Sequence, residues 1–349
     1  MMKKILIAIL CCALLLGLIG CSQQATENEE PEEVDTEEPV PSEVMVIKYG
    51  HNYPTDSPAH MAAEVFKEEV ETRSNGQMLV EIYPAMQLGS NREQLEGVQQ
   101  GSIHIDLQPT AIAGNFVPEM AILDLPFVFP NEDVLWKVLD GSFGQGVMAK
   151  FEDKGIKGLG FTWTGFKQIT ADRPIQNISD LGGLKIRVMN SPLLLEQYSS
   201  WGSNPIPIDF GELYNALQQG VVNGEENNFW TIATQKYYEV QSDLAVTNHA
   251  PLPAVLMANK AWFDGLTEEQ QGIIAEAGRK AVLKDREELG AVEDVSIETI
   301  RDYGVVFHEL SDAEIQEFKD ASESIYDFIR EELGDEILDD LLTAVEENS

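Results

Sequence analysis

The sequence predicts an α/β protein of two domains, and three observations carry that expectation. From Val44 onward, short apolar stretches of strand length alternate with segments of helical periodicity, the pattern of βα units on a largely parallel sheet. The 349 residues exceed what one hydrophobic core ordinarily serves, and 43% hydrophobic content is that of a globular chain. The three cysteines are Cys11, Cys12 and Cys21, so the body beyond them can hold no disulfide, thiolate metal site or cysteine nucleophile.

The first residues read as an export signal. Lys3 and Lys4 precede an apolar run from Ile5 to Ile19, which is short for a bilayer span of roughly 20 residues. Leu18-Ile19-Gly20-Cys21 resembles a bacterial lipobox, so residues 1–20 are expected to be removed and Cys21 lipidated, with the protein anchored on the extracytoplasmic side of the cell membrane. Residues 21–44 follow as a tether. Ser22 to Val44 hold nine acidic residues, three prolines and no Lys or Arg, a composition that stays extended and cannot form a core.

The body opens with a strand at Val44–Gly50. Ser57 and Pro58 then form an N-cap and first helical residue, and Ala62, Val65, Phe66 and Val70 recur at helical spacing until Asn75-Gly76. Met78–Tyr83 is a second strand, Arg92–Gln100 a helix ended by Gly101, and Ser102–Leu107 a third strand. Further strands are expected at Gly158–Phe161 and Leu184–Val188, with helices at Ser191–Trp201 and Gly211–Gln219. Two capping boxes, Thr267–Gln270 and Ser311–Glu314, open a long helix toward Ile300 and the acidic C-terminal helices.

Composition excludes several functions. Sixty acidic against 23 basic residues give a net charge of −37, which argues against nucleic acid and anionic membrane surfaces as partners. No G-x-S-x-G, H-E-x-x-H or P-loop occurs, and Gly141–Gly146 reads as a turn rather than a phosphate cradle. The five histidines, His51, His60, His104, His249 and His308, show no three- or four-residue spacing, so no helical two-His metal site is expected and no cofactor is implied. With basic residues scarce, Arg187 stands out at the end of a strand in which Leu184, Ile186 and Val188 share one face. It is either a salt-bridged surface residue or an anion anchor at a strand's carboxyl end.

Four stretches resemble one family. Asp180–Val188 reads D-L-G-G-L-K-I-R-V, Glu212–Asn227 reads E-L-Y-N-A-L-Q-Q-G-V-V-N-G-E-E-N, and Tyr83–Ser90 reads Y-P-A-M-Q-L-G-S. Thr234–Gln241 followed by Thr247-Asn248-His249 completes the set. Together they are similar to solute-binding proteins of TRAP (tripartite ATP-independent periplasmic) transporters, DctP type, over roughly Ile47 to Ala277.

The resemblance implies a two-lobed fold like that of periplasmic binding proteins, with a central ligand cleft and a long helix spanning both lobes. Lobe I would be 45–164 with a return segment near 253–292, and lobe II 165–252 with the C-terminal segment near 293–349. It implies capture of a small organic acid, a C4-dicarboxylate or a sugar acid such as a uronate, for delivery to the membrane subunits of a TRAP permease, without catalysis. A ligand-sensing lipoprotein that signals through a membrane receptor is the alternative, and a permease or sensor-kinase gene beside this one separates the two.

Residue by residue, Arg187 matches the family's carboxylate-binding arginine and Asn227 the asparagine of its E-N pair. Lys167 stands where many members carry arginine, which exchanges a planar fork for a point charge. His51 and Asn52 fall on a loop where members contact ligand, and Gln108 and Thr110 end the third strand facing the expected crevice. Arg92 either contacts ligand or caps a helix, and Phe210 and Trp230 either wall the pocket or belong to the core.

Overall fold

Two sheets, each with a single strand running against the rest, form the core of the computed structural model, which describes residues 44–349. The expected signal peptide, the tether apart from Val44, and Cys21 lie outside the described residues. The first sheet is built from β1 (Met45–His51), β2 (Met78–Tyr83), β3 (Ile105–Pro109), β4 (Ile156–Phe166) and β10 (Pro251–Asn259), in the order β2-β1-β3-β10-β4. The second contains β5 (Gln168–Ala171), β6 (Lys185–Val188), β7 (Asn204–Pro207), β8 (Gly224–Asn227), β9 (Asp243–Val246) and β11 (Val306–Glu309), in the order β11-β9-β5-β8-β6-β7.

The sheets are therefore mixed rather than simply parallel. β10 is antiparallel to both β3 and β4, and β5 to both β8 and β9, while the other pairings are parallel. The cause lies in how the chain changes sheet. β4 leaves the first sheet and, after Lys167 alone, becomes β5 of the second; β9 leaves the second and returns through residues 247–250 as β10. A third connection is the helix Glu268–Tyr303, which packs on the helix Pro58–Arg73 and on β4, then on the helix Phe229–Thr234, before feeding β11. This is the long helix that spans both lobes.

Local chemistry explains the elements. Ser57 Oγ accepts from the His60 amide at 3.0 Å, with Pro58 in the first turn, and the buried stripe of that helix is Ala62, Ala63, Phe66 and Val70. Both Thr267 and Ser311 form complete capping boxes. The third strand starts later than expected because the amides of Ser102 and Ile103 are spent on Gly97 O, at the preceding helix's end.

Two expectations are corrected. Gly141–Gly146 is not a turn: Gly141 separates the helix Glu132–Asp140 from a second helix, Ser142–Ala149. The C-terminal segment does not stay with the second sheet. Its last helix, Asp335–Asn348, buries Leu338 and Leu341 and packs against Glu132–Asp140, where Lys137 Nζ donates to Asn348 O at 3.1 Å.

The glycines of Ser142–Ala149 yield a test. A Cβ at Gly144 would lie 2.0 Å from Leu139 O, a backbone atom of the preceding helix, whereas a Cβ at Gly146 meets nothing within 4 Å. Gly144→Ala is expected to destabilise by about 1–3 kcal/mol through overpacking, and Gly146→Ala to stabilise by up to ~1 kcal/mol through helix propensity. Urea midpoints of the two variants should therefore move in opposite directions. A shared direction would refute the close helix approach.

Candidate ligand-binding site

The point where the chain crosses between sheets is a knot of buried charge. Lys167 is fully buried, and its Nζ lies 3.1 Å from Asp124 Oδ1 and 3.3 Å from Glu226 Oε1. Thr110 Oγ1 donates to Asp124 Oδ2 at 2.7 Å. On the other side His249 Nε2 donates to Glu226 Oε2 at 3.0 Å, and its Nδ1 lies 2.8 Å from the Thr247 hydroxyl. Burial lowers the pKa of this imidazole. Burial alone would raise the Glu226 carboxyl, but the Lys167 ammonium and the His249 hydrogen bond outweigh it and bring it to about 2.

Arg187 is different. It sits on β6 opposite Glu225 of β8 and is 2% exposed, and its Nε donates to Ile208 O at 2.9 Å. Among the described residues no carboxylate comes within ion-pair distance of it. The oxygens of Glu225 are taken by Thr170 Oγ1, at 2.8 Å, and by Asn227 Nδ2, and burial pushes that carboxyl up to about 7. The guanidinium opens instead onto a small cavity of about 20 Å³, with room for little more than one water.

The second sheet's side of this cavity supplies Arg187, Met189, Phe210 and Asn227, and the first sheet's side Asn52, Tyr53, Asn91, Pro109 and Leu252. Tyr53 holds its ring edge-on to Trp230 (5.2 Å between centroids) and to Phe210 (6.1 Å). Asn91 also lines an outer cavity of about 590 Å³, with Arg92, Glu96, Asn115, Asn190 and Asp209 among its walls. That volume lies in the usual range of ligand pockets, but it is the mouth of the cleft: Arg92 is exposed there and tied to Glu96 at 2.8 Å. Across it Asn115 Nδ2 donates to Asn190 O at 2.7 Å, joining the two walls.

The structure thus brings Arg187, Asn227, Asn52 and Phe210 to one cavity, with Trp230 behind Tyr53. Lys167 and Thr110 are not brought there: the buried carboxylates of Asp124 and Glu226 bind them into the crossing. Gln108 lies behind Asn52, accepting from its Nδ2 at 3.1 Å. His51 is buried, its Nδ1 accepting from the Tyr53 amide and its Nε2 facing His60 Nδ1 at 3.0 Å. Sequence reading missed Tyr53, Asn91, Met189 and Leu252. Met189 carried a usable signal, since it directly follows the strand bearing Arg187 at the carboxyl end where α/β sheets place ligands.

Two lobes around a polar cleft, with a buried guanidinium that pairs with no carboxylate among the described residues, form a site that can hold a small anion. The chain belongs to the bacterial extracellular solute-binding proteins, family 7, whose family model matches residues 49–332, and it is a DctP-type TRAP solute-binding protein. It is 32% identical over 265 residues to the 2,3-diketo-L-gulonate-binding periplasmic protein of Escherichia coli (73% of this chain, 81% of that protein). It is also 32% identical over 306 residues to the C4-dicarboxylate-binding periplasmic protein of Rhodobacter capsulatus (86% and 91%). Among solved structures, the sugar acid binding protein of Advenella mimigardefordensis in complex with galactonate superposes with a TM-score of 0.85 at 32% identity, covering 87% of this chain and 98% of that one. The family is one of solute transport outside the cytoplasm. Among the described residues no helix is long and apolar enough to cross a membrane.

The Glu226 carboxyl gives the crossing a pH dependence of definite sign. Its folded pKa, about 2, lies below the ordinary glutamate value of 4.5, so its contribution to stability is present above about pH 4.5 and lost as pH falls toward 2. The unfolding free energy of the parent minus that of Glu226→Gln should shrink by about 3 kcal/mol across that window. A difference that stays flat in urea titrations from pH 5 to pH 2.5 would mean that Lys167 and His249 do not hold Glu226 ionised.

Proposed function

We propose that this chain captures a small carboxylate, a C4-dicarboxylate or a sugar acid such as a uronate, outside the cytoplasm and hands it to the membrane subunits of a TRAP permease. The observation that carries the reading is Arg187: a buried cation on the cavity wall that pairs with no carboxylate among the described residues. A guanidinium keeps its charge when buried and matches a carboxylate with two parallel hydrogen bonds. The amides of Asn52, Asn91 and Asn227 and the rings of Tyr53 and Phe210 supply polar and apolar contacts for the rest of a small acid. The relatives named for 2,3-diketo-L-gulonate and C4-dicarboxylates support this ligand class. Arg92 at the cleft mouth is the first cation an entering anion meets. Anchoring through a lipidated Cys21, with the acidic segment as spacer, belongs to the same proposal.

A cavity of about 20 Å³ cannot take such a ligand unless its walls part, so binding goes with opening and closing of the cleft about the crossing strands and the long helix. A thermal-shift screen over organic acids identifies the ligand, since a compound at 100 times its Kd stabilises by about 2.7 kcal/mol. Calorimetry with the best compound should then show Arg187→Ala weakening binding by a few hundredfold or more, equivalent to ~3–5 kcal/mol for a buried ion pair broken on one side. Arg187→Lys should recover only part of it.

The same arginine yields a second expectation. A buried charge without a partner costs stability, so Arg187→Met should unfold at an unchanged or higher urea midpoint without ligand while losing ligand binding. A midpoint lowered by the equivalent of ~2 kcal/mol or more would make Arg187 a structural residue and defeat the assignment.

A further inference from the structure

Behind the cavity lies a chain of buried amides that neither the family's motif nor the Arg187 site accounts for. Gln94 Nε2 donates to Asn52 Oδ1 at 2.8 Å, Asn52 Nδ2 donates to Gln108 Oε1 at 3.1 Å, and Gln108 Nε2 donates to Asp106 Oδ2 at 2.8 Å. Gln94, Gln108 and Asp106 are wholly buried, and Asn52 alone of the four lines the cavity. An amide can be turned either way round, but the ends of this chain cannot. Gln94 Nε2 also donates to Gly89 O at 2.8 Å, and a carbonyl only accepts, so the nitrogen of Gln94 must sit on that side and meet an oxygen of Asn52. At the far end a carboxylate oxygen takes the nitrogen of Gln108, so the oxygen of Gln108 must meet the nitrogen of Asn52. Both ends impose the same direction.

Two further atoms fit this pattern. Among the described residues Asp106 Oδ1 and Gln94 Oε1 have no hydrogen-bond partner, and both crowd Gly50, where a Cβ would lie 2.8 Å and 2.9 Å from them. Burial pushes the Asp106 carboxyl up to about 7. A proton carried on Oδ1 would serve Gln94 Oε1, directly or through one water, and close the chain into a ring of the same sense, while Oδ2 goes on accepting from Gln108. The direction of the chain is thus the same in both protonation states.

We propose that Asp106, Gln108 and Gln94 are positioning residues that lock the Asn52 amide with its nitrogen committed as a donor, so that the cavity selects acids carrying a second hydrogen-bond acceptor besides the carboxylate held by Arg187. One Asn52 amide hydrogen is spent on Gln108; the other has no partner among the described residues, and Asn52 lines the cavity, so on this proposal that hydrogen is the donor offered to the ligand. A dicarboxylate or a hydroxylated sugar acid satisfies it; a simple fatty acid leaves it desolvated and unpaired. The proposal rests on the carboxylate-site reading of the preceding section and adds the selectivity of its other end.

The test is calorimetry on the full chain with two pairs of probes, succinate against butyrate and galactonate against hexanoate. Each pair shares the carboxylate for Arg187 and differs in oxygen elsewhere, so the affinity ratio within a pair isolates the second contact. Asn52→Ala should lower that ratio roughly tenfold. Asp106→Leu, out of reach of any ligand and without an acceptor for Gln108, should lower it by roughly threefold or more, and the double variant should fall no further than Asn52→Ala alone. Gln108→Met, which breaks the chain without altering charge, must lower the ratio as well and covers the case in which Asp106→Leu fails to fold. If Asp106→Leu or Gln108→Met shifts both members of a pair equally and leaves the ratio intact, the buried amides serve folding alone and the proposal falls. Failure of the carboxylate reading looks different: none of the four acids would then bind the parent chain.

Discussion

A buried ammonium at the place where the chain passes between sheets is the constraint on which the rest of the structure depends. Removing Lys167 from water costs several kcal/mol unless its charge is met in full, and it is met by Asp124 from the segment after β3 and by Glu226 from β8. His249, on the returning strand connection, completes the coordination of Glu226. The two strand crossings and both sheets are therefore fastened at one point, while the third connection, the helix Glu268–Tyr303, runs outside it. An assembly tied at one buried knot and along one helix holds its two lobes in register.

Strand geometry converts that structural knot into a binding site. Side chains alternate along a strand, so the consecutive residues Glu225, Glu226 and Asn227 are divided between two environments. Glu226 turns to Lys167, whereas Glu225 and Asn227 share the other face with Arg187 and bond to each other. Among the described residues the fold buries two cations beside β8, Lys167 at the crossing and Arg187 on β6, and treats them oppositely. Lys167 has two carboxylates, and Arg187 has one backbone carbonyl on Nε. The unpaired one is an arginine, the side chain that cannot relieve its burial by giving up a proton. On the proposed function, what destabilises the fold at that position is what an incoming carboxylate would relieve.

Much of this was legible in the sequence, and the part that was not has a common cause. Ser57, Thr267 and Ser311 announce helix starts because capping is a matter of three adjacent residues, and β1, β2 and β6 show in their apolar patterning. That Arg187 and Asn227 would stand on a cavity wall was readable from the resemblance, and for Arg187 also from its place at a strand end. Lys167 was expected at the ligand from the resemblance alone; its ties to Asp124 and Glu226, 43 and 59 residues away, follow from no spacing rule. Asp106, Gln94 and Gln108 escaped for the same reason: each is an ordinary polar residue until the fold sets it against Asn52. Gly144 was taken for part of a turn because its segment is Gly-rich; that the chain there starts a new helix packed close on Leu139 O, five residues back, is a matter of backbone path that composition cannot reveal.

There remains the apparent contradiction of an anion site in a chain of net charge −37. At 0.1 M salt the screening length is ~10 Å, so the exposed carboxylates act weakly on a buried cavity. The nearby acids matter most. Glu226 and Asp124 are balanced by Lys167, and Glu225 is held by Thr170 and Asn227 with its pKa raised to about 7, while Asp209 stands in the wall of the outer cavity. The charged residue that lines the inner cavity is Arg187. Surface acidity thus governs solubility and long-range approach, while the sign of the site is decided within a few ångströms by which of two buried cations the fold leaves without a carboxylate.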